Sequence, residues 1–204
     1  MIVWIMCFII YIKHTTGAHF NGGIIRWEPV DPNTNSPTVV ITITQRYSWV
    51  SSSVNCTTNV PITSASYPNA NLTCVGDCSN DGGYSNNPID ILTDCETVSS
   101  SLNIMTSQRS VNITLSTGAL FKIAYQGNDW RPLENTKGGS SNWSLTTLID
   151  LRRRPDGSLN IPPESRIISP QIVILNQRKT IKIPFQDINK GDDVRCRWAE
   201  KTTY

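Results

Sequence analysis

The oxygen-rich stretch Asp187-Ile188-Asn189-Lys190-Gly191-Asp192-Asp193 carries the best ligand-like spacing in the chain. Oxygen side chains at alternate positions around a glycine can wrap a hard cation such as calcium, which makes Asp187, Asn189, Asp192 and Asp193 candidate ligands. The stretch lacks the closing Glu of an EF-hand loop, and Lys190 adds a repelling charge, so a plain solvated turn is the competing reading. No other cofactor is required by any motif.

Cysteine supplies the second constellation. Of the six cysteines, Cys7 lies in an apolar leader, and Cys56, Cys74, Cys78, Cys95 and Cys196 remain. Cys74-X3-Cys78 with Cys56 and Cys95 can be drawn as a four-thiolate zinc site, but in an oxidising compartment two disulfides are the better expectation. Among the three pairings, Cys74 with Cys78 is the least expected, because it closes a very small loop and constrains little of the unfolded chain. The other two are not separated by sequence. Cys196 is left unpaired within this chain.

Catalytic constellations are sparse. Past the leader the one histidine is His19, on a flexible terminal segment where an imidazole is poorly placed to serve a Ser-His-Asp or Cys-His arrangement. The carboxylates (Asp77, Asp81, Asp90, Asp94, Asp129 and Asp156 among them) sit mainly in turns and present no recognisable acid and base pair for a glycosidase-type mechanism. A carboxylate-based extracellular hydrolase is therefore the remote alternative, and no catalytic activity is expected.

The compartment follows from the amino terminus. Met1 to Ile12 is an apolar run of about 11 residues, short of the ~20 that a spanning helix needs, and Thr16 and Ala18 suit a small-residue cleavage site. Residues 1–18 thus read as a signal peptide with the cut after Ala18, although no basic residue precedes the apolar run; an uncleaved anchor is the alternative. No later segment is apolar enough to span a bilayer. Four sequons, at Asn55, Asn71, Asn112 and Asn142, point to glycosylation in the secretory pathway. A net charge of +2 with scattered basic residues gives no footprint for nucleic acid.

The elements that position these groups read as strands. Thr38 to Trp49 alternates with Val39, Ile41, Ile43, Tyr47 and Trp49 on one face and Val40, Thr42 and Thr44 on the other. Ser110 to Ser116 places Val111, Ile113 and Leu115 inward and the sequon residue Asn112 outward. Phe121, Ile123 and Tyr125 form another inward set, and Leu145, Ile149 and Leu151 a fourth. Ile24 to Trp27 is a short first strand behind a flexible turn at Asn21-Gly22-Gly23. Gly127-Asn128-Asp129 is expected to turn the chain and to expose Trp130 in a loop, where Asp129 and Trp130 would form a sugar-stacking site. Arg152-Arg153-Arg154 closes the Trp143 to Leu151 strand as a charged turn, with a patch for sulfated glycans formed together with Arg178, Lys179 and Lys182 as the sharper reading. After Pro162-Pro163 a new unit is expected, with strands at Gln171 to Leu175, at Lys179 to Phe185 with Ile181, Ile183 and Phe185 inward, and at Asp193 to Trp198. No segment has sustained helical periodicity.

Nine or ten short strands separated by turn signals argue an all-β chain. We expect an antiparallel β-sandwich of immunoglobulin or Greek-key type over residues 19–168, stapled by disulfides and followed by the start of a second β repeat over 169–204.

Several blocks together resemble the amino-terminal module of large extracellular proteins of marine invertebrates, some of them named integrin-beta-like. They are Gly22 to Val30, the strand through Tyr47-Ser48-Trp49, Cys74-Val75-Gly76-Asp77-Cys78, Trp143-Ser144-Leu145 and Asp187 to Trp198. The resemblance spans most of the chain and implies no known activity. It implies that the last block opens a cadherin-like or immunoglobulin-like repeat, truncated here, whose missing part would hold the partner of Cys196. Lys190-Gly191-Asp192 also resembles an integrin-recognition tripeptide. The expected function is a secreted, glycosylated recognition or adhesion module without catalysis, whose partner is an extracellular protein or a glycan; a soluble carbohydrate-binding protein is the alternative.

Overall fold

The computed structural model describes residues 20–54, 56, 71–130, 141–165, 174, 176–189 and 191–197, with the side chains of Asp129 and Ser141 excepted. The leader, His19, Asn55, Lys190 and Trp198 lie outside the described residues, as does most of the Gln171 to Leu175 segment.

The strongest alternation in the sequence makes the central strand. β2 (Thr38–Val50) buries Val39, Ile41, Ile43, Tyr47 and Trp49 and turns Val40 and Arg46 to solvent, as the period of two requires. It pairs along its whole length with β5 (Ile104–Ser116), from Thr38↔Ser116 to Val50↔Ile104. β1 (Phe20–Pro29) lies antiparallel on its other side, and β4 (Asp94–Ser99) lies antiparallel to β5. β6 (Leu120–Trp130) is flanked by β3 (Thr73–Gly76) and β7 (Ser141–Asp150), both antiparallel to it. One parallel Cα pair, Phe20↔Trp130, joins the β1-β2-β5-β4 group to the β3-β6-β7 group.

These two groups are the layers of a sandwich. Tyr47 of β2 and Tyr125 of β6 meet with ring centroids 5.1 Å apart, and Phe20 stacks on Trp143 of β7 at 3.8 Å. At the β1–β7 side the indole Nε1 of Trp27 donates to the Leu148 carbonyl at 2.7 Å. The chain is all-β with no α-helix among the described residues; two short 3-10 turns, Cys78–Asn80 and Tyr84–Asn86, lie between β3 and β4. Strands 1, 2, 5 and 4 in one layer and 3, 6 and 7 in the other is the order of an immunoglobulin constant-type sandwich. In antibody domains the second and sixth strands carry the cross-sheet disulfide. Here neither strand has a cysteine, and the Tyr47–Tyr125 pair occupies that space.

Two glycines expected to turn the chain lie inside strands. A Cβ on Gly23 would sit 2.6 Å from the Arg46 carbonyl oxygen and 2.7 Å from the Tyr47 ring, so the glycine admits β2 rather than making a turn. β1 therefore begins at Phe20, with its irregularity between Phe20 and Gly22. A Cβ on Gly127 would sit 2.7 Å from Cζ2 of Trp143. β6 accordingly runs on through Gly127-Asn128-Asp129, with a register shift in place of the expected turn.

The disulfides are Cys56–Cys95 and Cys74–Cys78, which corrects the expectation that disfavoured the second. Loop entropy ranks the pairs by what they do to the unfolded chain, but here the native backbone decides. β3 ends at Gly76, Asp77 takes a left-handed φ of 56°, and the chain doubles back so that the Cα atoms of Cys74 and Cys78 are 5.8 Å apart. Cys56–Cys95 ties the segment after β2 to edge strand β4 across 39 residues. Cys196 is a free, exposed thiol.

The carboxy-terminal expectations are corrected too. Of Lys179 to Phe185 only Phe185 is in a strand, the two-residue β9 (Phe185–Gln186), which pairs with β8 (Glu164–Ser165). Ile181 and Phe185 are 43% and 48% exposed rather than inward. Residues 192–197 form no strand. An alternating pattern needs a second layer to bury its apolar side, and these residues meet none among the described ones.

Candidate recognition face

The four calcium candidates do not converge. The Asp192 carboxylate receives two hydrogen bonds from Arg154, at 2.6 and 2.7 Å, and Asp193 receives Arg195. The Asp187 carboxylate caps its own turn through the Asn189 N–H at 2.8 Å, and the Asn189 side-chain oxygen accepts the Ile161 N–H at 2.9 Å. Among the described residues no group of three or more His, Cys, Asp or Glu side chains is arranged to hold a metal.

Trp130 is not a loop aromatic. It ends β6, half-buried, with its ring 5.7 Å from that of Phe20. Phe20 is itself ringed by Tyr47, Trp49, Tyr125, Trp130 and Trp143 at 3.8 to 6.3 Å. The expected stacking platform is thus one wall of an aromatic core, and the Asp129 side chain lies outside the description.

The basic turn is likewise engaged. Arg152 grips Asp150 at 2.7 and 2.8 Å, Arg153 donates to the carbonyls of Gly157 and Thr34, and Arg154 reaches Asn160 and Asp192. The carboxylates with perturbed ionisation all shift downward. Burial would raise Asp81, but the Ser85 hydroxyl and the Gly83, Ser85 and Tyr84 N–H groups outweigh it. Hydrogen bonds from Arg152, Ser158 and Arg154 lower Asp150, Asp156 and Asp192 respectively. A general acid needs the opposite shift.

What remains is the outer face of β1-β2-β5-β4. Register places Ile24, Arg46 and Gln108 in one row across β1, β2 and β5, and Arg26, Thr44 and Ser110 in the next. Two hollows of about 600 and about 510 Å³ lie on this face and share Ile24 and Arg46, so they form one groove. One end is walled by Pro162 to Ser165 and Thr147. The other is lined by Ser48, Thr97, Ser99, Leu102, Ile104 and Thr106. Volumes of this size fall in the range of ligand sites. Arg26 lies 3.2 Å from Glu164 and 3.9 Å from Glu28, and Arg46 lies 3.5 Å from Glu96.

One sequon lies on the same face as the groove. Asn112 projects from β5 on this face, its side-chain oxygen held by the Thr42 hydroxyl at 2.9 Å, which leaves its amide nitrogen outward. It is four residues from Gln108, about 13 Å along the strand. Asn71 and Asn142 are exposed elsewhere, at the Asn71↔Asp90 bridge and on β7. None of the groove residues was singled out by type in the sequence. The available signal was the outward phase of Arg46 in β2, but assembling the site requires the register across three strands.

Comparison with protein-family models, with curated proteins and with solved structures returned no match.

Proposed function

We propose that the chain is a secreted, glycosylated recognition or adhesion module without catalytic activity, and that its ligand is an extracellular protein bound on the outer face of the β1-β2-β5-β4 sheet. The observation carrying this reading is the groove. It combines hollows of about 600 and 510 Å³ with exposed apolar and arginine side chains, while Arg109 and Arg152 to Arg154 serve neighbouring turns and strands. Two disulfides and the sandwich architecture fit an extracellular setting. No described helix is long and apolar enough to cross a membrane.

A carbohydrate ligand is the second reading, favoured by the hydroxyl and amide lining of Ser48, Thr97, Thr106 and Asn21. The two are separated by binding the glycosylated chain to cell surfaces stripped of either glycan or protein. Retention after glycosidase treatment and loss after protease supports the protein ligand; the reverse supports the glycan. Binding to neither untreated cells nor a glycan array removes both.

The reading requires no cofactor. Calcium at Asp187 to Asp193 would have to displace Arg154 from Asp192 and Arg195 from Asp193. Chelator is expected to leave the melting temperature unchanged, and a calcium-dependent rise would restore the cation site.

A further inference from the structure

Two groups stand out among the described arginines. Arg109, Arg152, Arg153, Arg154 and Arg195 all donate hydrogen bonds, and those bonds hold strands and turns together. Arg26 and Arg46 donate none among the described residues. They hold carboxylates only as ion pairs, at 3.2 to 3.9 Å, with 45% and 59% of their side chains exposed. Exposed pairs of this kind are weak and readily exchanged.

Both lie in the groove, and their placement has a spacing. Arg26 pairs with Thr44, and Arg46 with Ile24, so the two arginines are diagonal neighbours on the β1–β2 ladder. That puts their Cβ atoms about 7 Å apart. Alternate residues of an extended peptide, which point the same way, are also separated by about 7 Å. Beyond the Phe20↔Trp130 pair, β1 has no strand partner on its other side among the described residues, so the groove floor ends at an edge along which an extended chain can lie.

Three acids already hold these arginines, Glu28 and Glu164 on Arg26 and Glu96 on Arg46. Glu164 belongs to the groove wall, not to the sheet, and its carboxylate reaches Arg26 at 3.2 Å from the short β8 strand. It is an internal substitute for an incoming carboxylate.

We propose that the groove binds an extended acidic segment of a partner protein, with carboxylates on alternate residues that replace Glu164 on Arg26 and Glu96 on Arg46. This rests on the recognition reading and names its partner class. Because Glu164 competes for Arg26, it restrains the site, and its removal strengthens binding. The Gln108 amide lines the groove beyond Arg46 in the same row, and Ile24 gives an apolar floor.

The test is titration of the full glycosylated chain with an alternating Glu-Thr decapeptide, with the Lys-Thr decapeptide and a heparin octasaccharide as comparisons. Saturable, salt-sensitive binding of the Glu-Thr peptide alone is expected. Arg26→Ala and Arg46→Ala should each weaken it at least tenfold at unchanged melting temperature, and Glu164→Gln should tighten it several-fold. The gain is informative because a folding defect cannot produce it. Equal binding of both peptides, no binding of the Glu-Thr peptide, or an unaltered affinity in Glu164→Gln overturns the proposal. Heparin binding through the same arginines without peptide binding overturns it in favour of a sulfated glycan. Cell-surface binding that survives both arginine variants ends this proposal and leaves the recognition reading standing; absence of any surface binding ends the recognition reading itself.

Discussion

The inner and outer faces of the β1-β2-β5-β4 sheet are written by alternate residues of the same strands, yet they do different work. On the inner face Phe20, Ile41, Ile43 and Tyr47 are at most 1% exposed and pack against the β3-β6-β7 layer. Gln45 and Tyr47 satisfy their polar groups internally. Gln45, 0% exposed, donates to the Asp90 carbonyl at 2.9 Å and accepts the Tyr47 hydroxyl at 2.7 Å. On the outer face Arg26, Arg46 and Ile24 meet solvent, and the arginines have only loose partners. Stability and recognition are thereby assigned to opposite sides of one sheet, one residue apart.

Substitutions should separate the two. The largest effect is expected from Phe20→Ala. Truncating a fully buried aromatic at the centre of five rings should cost about 3–5 kcal/mol, by transfer and cavity terms together, read as a shift in the denaturant midpoint. The covalent clamps come next. In the chain-entropy picture, loss of Cys56–Cys95, which closes 39 residues, costs about 4 kcal/mol, and loss of Cys74–Cys78 about 2. If the smaller loop proved the more costly, its role would be to hold the β3 turn, not to restrict the unfolded chain.

Tyr47→Phe leaves the buried Gln45 oxygen without its donor and should cost about 1–3 kcal/mol. The same face sets an alkaline limit. Burial pushes the Tyr84 phenol up to about 12 from 10.0, and pushes Tyr47 higher still with help from Tyr84 and Asp90. The unfolded chain releases these protons first, so the stability they contribute is complete below pH 10 and declines as pH rises through the folded values. Ultraviolet titration should find two tyrosines that resist ionisation while the fold persists. The lowered carboxyls work in the other direction. Asp81 and Asp150 contribute stability above their ordinary value of 3.8, and lose it as pH falls through the folded values.

The smallest stability effects belong to the outer face. Arg46→Ala should change stability by no more than about 0.5 kcal/mol. Breaking the Arg154–Asp192 contact should leave the melting temperature alone and speed amide exchange over residues 185–189 and 191–192, because that contact fastens the carboxy-terminal strap to the turn after β7.

Much of the inner face was legible beforehand. Val39 to Trp49, Val111 to Leu115 and Phe121 to Tyr125 show their alternation directly, and each forms a strand with the expected side turned to the core, half-buried at Val111 and Ile113 and buried at the other positions of these sets. The errors have physical causes. Glycine's freedom in φ suggests turns at Gly23 and Gly127, whereas here it makes room for Tyr47 and Trp143 across the strand. The same apparent turn suggests a loop at Trp130, which instead ends β6. Ile181, Ile183 and Phe185 alternate as well as any core strand, but among the described residues no second layer covers them. The groove was hardest to see. Arg26 and Arg46 are 20 residues apart in sequence and meet only through the β1–β2 register, and Glu164 arrives from beyond β7.

The separation of faces is tested most directly by the charge-reversed pair Arg26→Glu with Arg46→Glu in the full glycosylated chain, measuring melting temperature and cell-surface binding on the same preparation. The expected result is a melting temperature within a few degrees of the parent and a loss of binding. Undiminished binding, or a collapse of the fold, would contradict it.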